Sequence, residues 1–273
     1  MKFDFDAEYF NPKHTLECGQ VFRFKNYKDG FAVYSADKSC YVYSDGVKTV
    51  AESDDADYFY KYFDLDKDYK LIVDRAKSFN VPLLTKSAEA LKGLRMLNQD
   101  REEMIFSFII SQNNNIPRIK GIIEKICAGL GDKLCGVCGE YFSFPSAQKI
   151  AEAGAKFFKG AGAGYRDVYL AETGARIFKE GLSNLDGLDA KQLKKELLTY
   201  KGVGPKVADC IALFGYNKFD SFPVDTWIEK VYREDFKGEY TDRNKISEFF
   251  LNEFGEYSGY IQQYLFYGKR LKL

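Results

Sequence analysis

The hydrophobic period of this chain changes once, near residue 100, and that change confines it to a fold with two unlike parts. Before it, short runs alternate apolar and polar residues: Val21–Phe24, Phe31–Ala36, Tyr41–Tyr43 and Val47–Ala51. Turn signals at Lys28-Asp29-Gly30 and Ser44-Asp45-Gly46 separate them, so the runs predict an antiparallel sheet built from hairpins. Asp54 to Asp64 then takes helical spacing, with Tyr58, Tyr62 and Phe63 on one stripe. From Asp100 onward the period is helical throughout. Met104, Ile105, Phe108 and Ile109 share a face, the polar run Gln112-Asn113-Asn114-Asn115 interrupts, and Ile116, Ile119, Ile122, Ile123 and Ile126 resume it. Further helices are predicted over Ala147–Ala155, Asp167–Glu180, Asp189–Tyr200, Lys206–Phe214, Thr226–Glu234, Lys245–Phe254 and Gly259–Leu265. The expected fold class is α+β: an N-terminal antiparallel sheet domain with helices over 1–100, then a larger all-α region over 101–273.

Composition excludes several classes. The 273 residues are 45% apolar and 29% charged, which suits a packed globular chain rather than a disordered one. The apolar run Met104–Ile110 is too short to span a bilayer, and no secretory h-region is visible at the N-terminus, so a soluble intracellular protein with reduced cysteines is expected. A single histidine, His14, argues against a histidine triad. Forty basic and forty acidic side chains cancel, with 15 minus 17 before residue 101 and 25 minus 23 after it. Zero net charge gives no global sign of a nucleic-acid partner, although recognition depends on local patches.

The segment that carries chemistry is Gly202-Val203-Gly204-Pro205-Lys206-Val207-Ala208-Asp209-Cys210. A helix ends before it, the glycines supply unusual φ angles, and Pro205 is preorganised to start a new helix. Exposed backbone N–H groups at a helix N-terminus suit a phosphate. Alone, Gly-x-Gly is met at any corner between helices. Lys206, however, stands in the first turn, where the positive end of the helix dipole disfavours an ammonium ion and favours a nucleophilic amine. Nineteen residues on, Pro223-Val224-Asp225 places Asp225 at a helix N-cap, which suits an ionised carboxylate. An amine nucleophile facing a carboxylate fits a reaction through a cation-like sugar. The plainer alternatives are a solvated lysine and a simple cap.

These residues resemble the hairpin, lysine and aspartate of the helix–hairpin–helix base-excision glycosylases, the HhH-GPD superfamily, and within it the 8-oxoguanine DNA glycosylase/AP lyases. Ser111-Gln-Asn-Asn-Asn-Ile-Pro-Arg118, Gly164-Tyr-Arg166, Gly19-Gln-Val-Phe-Arg23 and Gly259-Tyr-Ile-Gln-Gln-Tyr-Leu-Phe266 extend the resemblance over almost the whole chain. It implies two helical subdomains flanking an active-site cleft, Lys206 as the residue that forms a Schiff base with the sugar, and Asp225 as the stabiliser of the oxocarbenium-like state. It also implies that the flipped base lies between Cys210 and Phe266, with Gln262 reading its Watson–Crick edge. The Gly19 carbonyl would then accept the N7–H that 8-oxoguanine has and guanine lacks. Asn113, Arg118 and Arg166 would hold the orphaned cytosine, Tyr165 would wedge into the stack, and Gly202, Val203 and Gly204 would bind phosphate. The implied substrate is duplex DNA carrying 8-oxoguanine opposite cytosine, with formamidopyrimidine guanine beside it. The implied enzyme is a monomer that needs no cofactor, with room for a monovalent or divalent cation at the hairpin carbonyls when DNA is bound.

The chain departs from the family pattern at three places. Trp227 stands where the better-known members carry a histidine two residues after the aspartate. Pro117 precedes Arg118 and could alter its presentation. Cys135-Gly136-Val137-Cys138 has no counterpart and is expected to be a loop with free thiols, since no second cysteine pair follows. No iron–sulfur cluster is expected, because no cysteine cluster follows the hairpin. Three other readings compete: a non-catalytic hairpin that only grips DNA, a glycosylase for another lesion, and a metabolic enzyme. The first would not need Lys206 with Asp225, the second generally lacks the lysine, and the third has no cofactor loop.

Overall fold

The computed structural model describes all 273 residues. Five strands form one antiparallel sheet in the order β1 (Lys2–Asp6), β5 (Lys48–Ser53), β4 (Lys38–Ser44), β3 (Gly30–Ser35), β2 (Phe24–Tyr27). The hairpin turns fall at the Asp-Gly signals, and at Ala36-Asp37, where Ala36 takes φ 49° without a glycine to announce it. The expected strand Val21–Phe24 is displaced: Val21, Phe22 and Arg23 are buried outside the sheet, which takes up the chain only at Phe24. That segment is held by side chains instead. Gln20 Nε2 donates to the Arg95 carbonyl at 2.7 Å, and its Oε1 accepts from the Leu97 amide at 2.9 Å. The sequence reading misses the edge strand Lys2–Asp6, although Phe3 and Phe5 alternate there with Lys2, Asp4 and Asp6.

Helices α1 (Pro12–Glu17), α2 (Ala56–Tyr62), α3 (Tyr69–Ser78) and α4 (Pro82–Ala90) complete the N-terminal part. The remaining helices are α5 (Arg101–Ser111), α6 (Ile116–Leu130), α7 (Ala147–Ala161), α8 (Asp167–Glu180), α9 (Ala190–Leu197), α10 (Pro205–Tyr216), α11 (Thr226–Glu234), α12 (Arg243–Phe254) and α13 (Ser258–Leu271). Helix α7 runs past its expected end through a kink at Gly154, whose φ of 66° breaks the ladder. A small core lies under the sheet around Phe10, Val33, Val42 and Phe59. The main core joins α5 to α13, and it also takes in Tyr69, Ile72, Leu83 and Leu84 from α3 and α4, on the N-terminal side of residue 100.

One buried cation joins the two parts, and a second ties the N-terminal part together. Arg23 Nη1 pairs with Glu103 of α5 at 3.1 Å, and that carboxylate also accepts the Ala36 amide at 2.9 Å. Arg95, fully buried, has no carboxylate partner and donates to the carbonyls of Phe63, Tyr9, Asp64 and Lys67, with Tyr69 stacked 4.0 Å away. A buried charge is tolerable only when its donors are met, and a ring of carbonyls meets them here. The Cys135–Cys138 segment is not a loop: it forms a hairpin of β6 (Lys133–Gly136) and β7 (Gly139–Phe142). The Cys138 thiol lies under β4, 3.6 Å from the Cys40 carbonyl. No group of three His, Cys, Asp or Glu side chains converges, and no helix is long and apolar enough to cross a membrane.

Candidate active site

The hairpin is local physics made visible. Asp189 and Gln192 close a capping box on α9, each side chain bonding the other's backbone at 2.8 and 3.1 Å. The helix ends at Leu197, three residues earlier than expected, as Thr199 folds its hydroxyl onto the Glu196 carbonyl at 2.6 Å. Gly202 takes φ +80°, and a Cβ there would lie 2.2 Å from the Tyr169 ring. Only glycine satisfies both demands. Gly204 is the N-cap of α10 and Pro205 its first residue. The Val203 amide is spent on the Tyr200 carbonyl at 3.1 Å, whereas the Gly202 and Gly204 amides take no backbone acceptor. Two of the three expected phosphate amides are therefore free to bind an anion.

Lys206 and Asp225 stand where two spaces meet. Both line an open cleft of about 710 Å³ whose wall includes Asn113, Tyr165, Gly204 and Arg243. Both also line a narrow slot of about 60 Å³ with Gly19, Cys210, Gln262 and Phe266. Asp225 caps α11, accepting from the Trp227 and Ile228 amides at 2.9 and 3.0 Å, so one carboxylate oxygen is fixed by the helix. Lys206 Nζ lies 5.9 Å from the Phe108 ring centroid. Cys210, Phe214, Gln262 and Gln263 of the slot's lining are buried. Burial pushes the Cys210 thiol up to about 11, with Lys206 beside it pulling the other way. Gln262 donates to the Pro223 carbonyl at 3.3 Å, and its Oε1 is buried without a partner. A buried amide oxygen left unmet is costly unless something arrives to meet it.

The orphan-base residues are brought together less completely. Asn113, at φ 44°, and Tyr165, half exposed, line the cleft. Pro117 sits inside the first turn of α6, and Arg118 is exposed and reaches the Gly162 carbonyl at 3.3 Å. Arg166 is buried rather than presented. It donates to the carbonyls of Ala163 at 3.0 Å, Asn113 at 3.1 Å and Gln112, and its Nε has no partner. Trp227, in the histidine's place, packs under Lys230 at 4.9 Å.

Sequence reasoning missed Asp209, Arg243 and Arg270. Asp209 is buried beside Lys206 and paired with Lys194 of α9 at 2.8 Å, and burial raises its carboxyl to about 6. Its place one turn after Lys206 was a usable signal. Arg243, paired with Glu229 at 2.8 Å, reaches the cleft only through the tertiary fold.

Residues 2–105 match the N-terminal domain of 8-oxoguanine DNA glycosylase. The chain is 31% identical over 226 residues to a probable N-glycosylase/DNA lyase of Methanothermobacter thermautotrophicus, covering 75% of this chain and 70% of that protein. It is 34% identical over 199 residues to the N-glycosylase/DNA lyase OGG1 of Arabidopsis thaliana, covering 68% of this chain but only 54% of that longer protein. Its fold superposes with a TM-score of 0.91 at 35% identity on the Clostridium acetobutylicum 8-oxoguanine glycosylase/lyase bound to DNA with cytosine opposite 8-oxoG, covering 100% and 98% of the two chains. On these matches, this chain belongs to the 8-oxoguanine DNA glycosylase family of N-glycosylase/DNA lyases.

Proposed function

We propose that this protein excises 8-oxoguanine from duplex DNA and then cleaves the strand, with Lys206 as nucleophile. The observation that carries this is the position of Lys206 and Asp225 on both the open cleft and the narrow slot. DNA would occupy the cleft, its backbone on the Gly202 and Gly204 amides, and the lesion would flip toward the slot. The Lys206 amine forms a bond to the sugar C1′ as the glycosidic bond breaks, and the base leaves with the bonding electrons and a proton. Asp225 stabilises the positive charge that develops on the sugar. The C1′–O4′ bond then breaks, O4′ taking a proton as the ring opens to an imine that acidifies C2′, and loss of the C2′ proton expels the 3′ phosphate. The chain itself supplies nucleophile and carboxylate, so the reaction needs no cofactor; a cation at the hairpin carbonyls would assist only DNA binding. Formamidopyrimidine guanine, which also offers an N–H at that edge, is a second substrate.

A preference for cytosine opposite the lesion follows from Asn113, Arg118 and Arg166, which gather around residues 162–166. Arg166 must exchange the Gln112 and Asn113 carbonyls for the base, so this set is completed by DNA. Borohydride reduction tests the nucleophile: the wild-type protein should be trapped covalently on lesion-containing duplex. Lys206→Gln should bind that duplex and release no base. Undiminished trapping in the variant would overturn the assignment.

A further inference from the structure

Gly19 sits in a turn that the last helix holds at two points. Gln263 Nε2 donates to the Cys18 carbonyl at 2.8 Å, and Arg270 Nη2 donates to the Glu17 carbonyl at 2.9 Å. Gly19 itself has no side chain and a φ of +95°, so its neighbours decide what stands over it. Arg270 Nη1 and Phe266 Cε1 each lie 3.3 Å from the point a Cβ would occupy. The guanidinium, one helical turn beyond Phe266 in α13, is 5.7 Å from the Phe266 ring and 5.1 Å from that of Tyr267. Its Nη1 is buried without an acceptor.

We propose that Arg270 is a positioning residue that sets the Gly19 carbonyl against Phe266, and so sets the margin by which the slot separates an oxidised purine from guanine. This rests on the glycosylase reading above. Discrimination there depends on one carbonyl, which meets an N–H in the lesion and a lone pair in guanine. Hydrogen bonds weaken steeply with distance and angle, so a carbonyl free to tilt would escape guanine's lone pair as readily as it met the lesion. A glycine turn is the backbone most able to tilt. Arg270 removes that freedom by tying the peptide before Cys18 to α13 and by filling the space above Gly19. Packing alone does not explain an arginine here. Methionine or leucine would fill the same space without burying an unmet donor, which is costly.

Arg270→Met and Arg270→Lys separate these roles, with thermal melts confirming that both variants fold. Three quantities are measured: single-turnover excision of 8-oxoguanine opposite cytosine, the ratio of binding to lesion and guanine duplexes, and borohydride trapping on a preformed abasic site. Arg270→Met should excise at least about tenfold more slowly and bind the two duplexes more equally, while abasic trapping is slowed far less. Arg270→Lys should recover part of both losses, because an ammonium can still donate to the Glu17 carbonyl. Unchanged excision and an unchanged binding ratio in Arg270→Met would overturn the proposal, as would equal slowing of excision and abasic trapping. A wild-type protein that traps no abasic DNA would instead overturn the lyase reading, and the binding ratio would still judge Arg270.

Discussion

Asp225 carries two duties on one carboxylate, and they can be separated by a single atom. Its oxygen accepts two amides at the start of α11, while its charge faces the cleft. Asp225→Asn keeps an N-capping side chain, so stability should fall by no more than about 1 kcal/mol. Single-turnover base excision should fall far more than DNA binding does. Near-normal excision in that variant would make Asp225 a cap and nothing else. Asp209 offers a pH test. Burial raises its carboxyl from an ordinary 3.8 to about 6, against the pull of Lys194. The folded state therefore holds this proton more tightly than the unfolded one. Its stabilising contribution is complete below the unfolded value and is lost as pH rises through about 6. Melting curves from pH 4 to pH 6 should show the wild type losing stability relative to Asp209→Asn. Parallel curves would mean that Asp209 stays charged throughout.

At the scale of elements, the proposed hold on a DNA backbone rests on the hairpin between α9 and α10. Gly202 is its most constrained residue, being at φ +80° with the Tyr169 ring against its missing side chain. Gly202→Ala must pay for both a left-handed backbone and an overpacked contact, each about 1–3 kcal/mol. The variant should melt well below the wild type and lose affinity for duplex DNA with or without a lesion. An alanine variant of normal affinity would mean that the hairpin amides do not bind phosphate. Helix α7 shows the opposite use of glycine: nothing lies within 4 Å of the Gly154 Cβ position, so that kink is a backbone feature without a packed partner.

For the whole molecule, zero net charge leaves recognition of an anionic partner to local patches. Lys201 is paired with Glu172, and Lys269 is tied to both Glu234 and Asp235. With Arg166 withdrawn onto carbonyls, Arg118 is the exposed arginine beside the orphan-base loop. On the proposed reading, opposite-base choice would be a property of the assembled complex. Excision opposite cytosine should exceed excision opposite adenine by at least about tenfold, since each unmet donor costs roughly 1–3 kcal/mol. Arg118→Ala should narrow that gap by slowing the cytosine reaction. Equal single-turnover rates opposite all four bases would leave Arg118 as a phosphate contact or a solvated charge.

Read from sequence alone, α8 and α11 come out with their observed ends, and the Pro205 start of α10 lies one residue from its expected place. Caps, proline starts and hydrophobic periods act within a turn or two, so a few residues suffice to determine them. The same locality makes the Gly202–Cys210 motif and the Asp225 cap legible. What the sequence could not decide is which unpaired groups each long side chain would meet. Arg23, Arg95, Arg166 and Arg270 look alike as charges, yet one pairs with a buried carboxylate, and the other three are spent on carbonyls that the tertiary fold leaves open. Val21–Arg23 leaves the sheet for the same reason, because Gln20 finds the backbone near residue 95. The meeting of Lys206 with Asp225, and of Arg270 with Gly19, belongs to that long-range order: it depends on where helices pack, and no period within a helix encodes it.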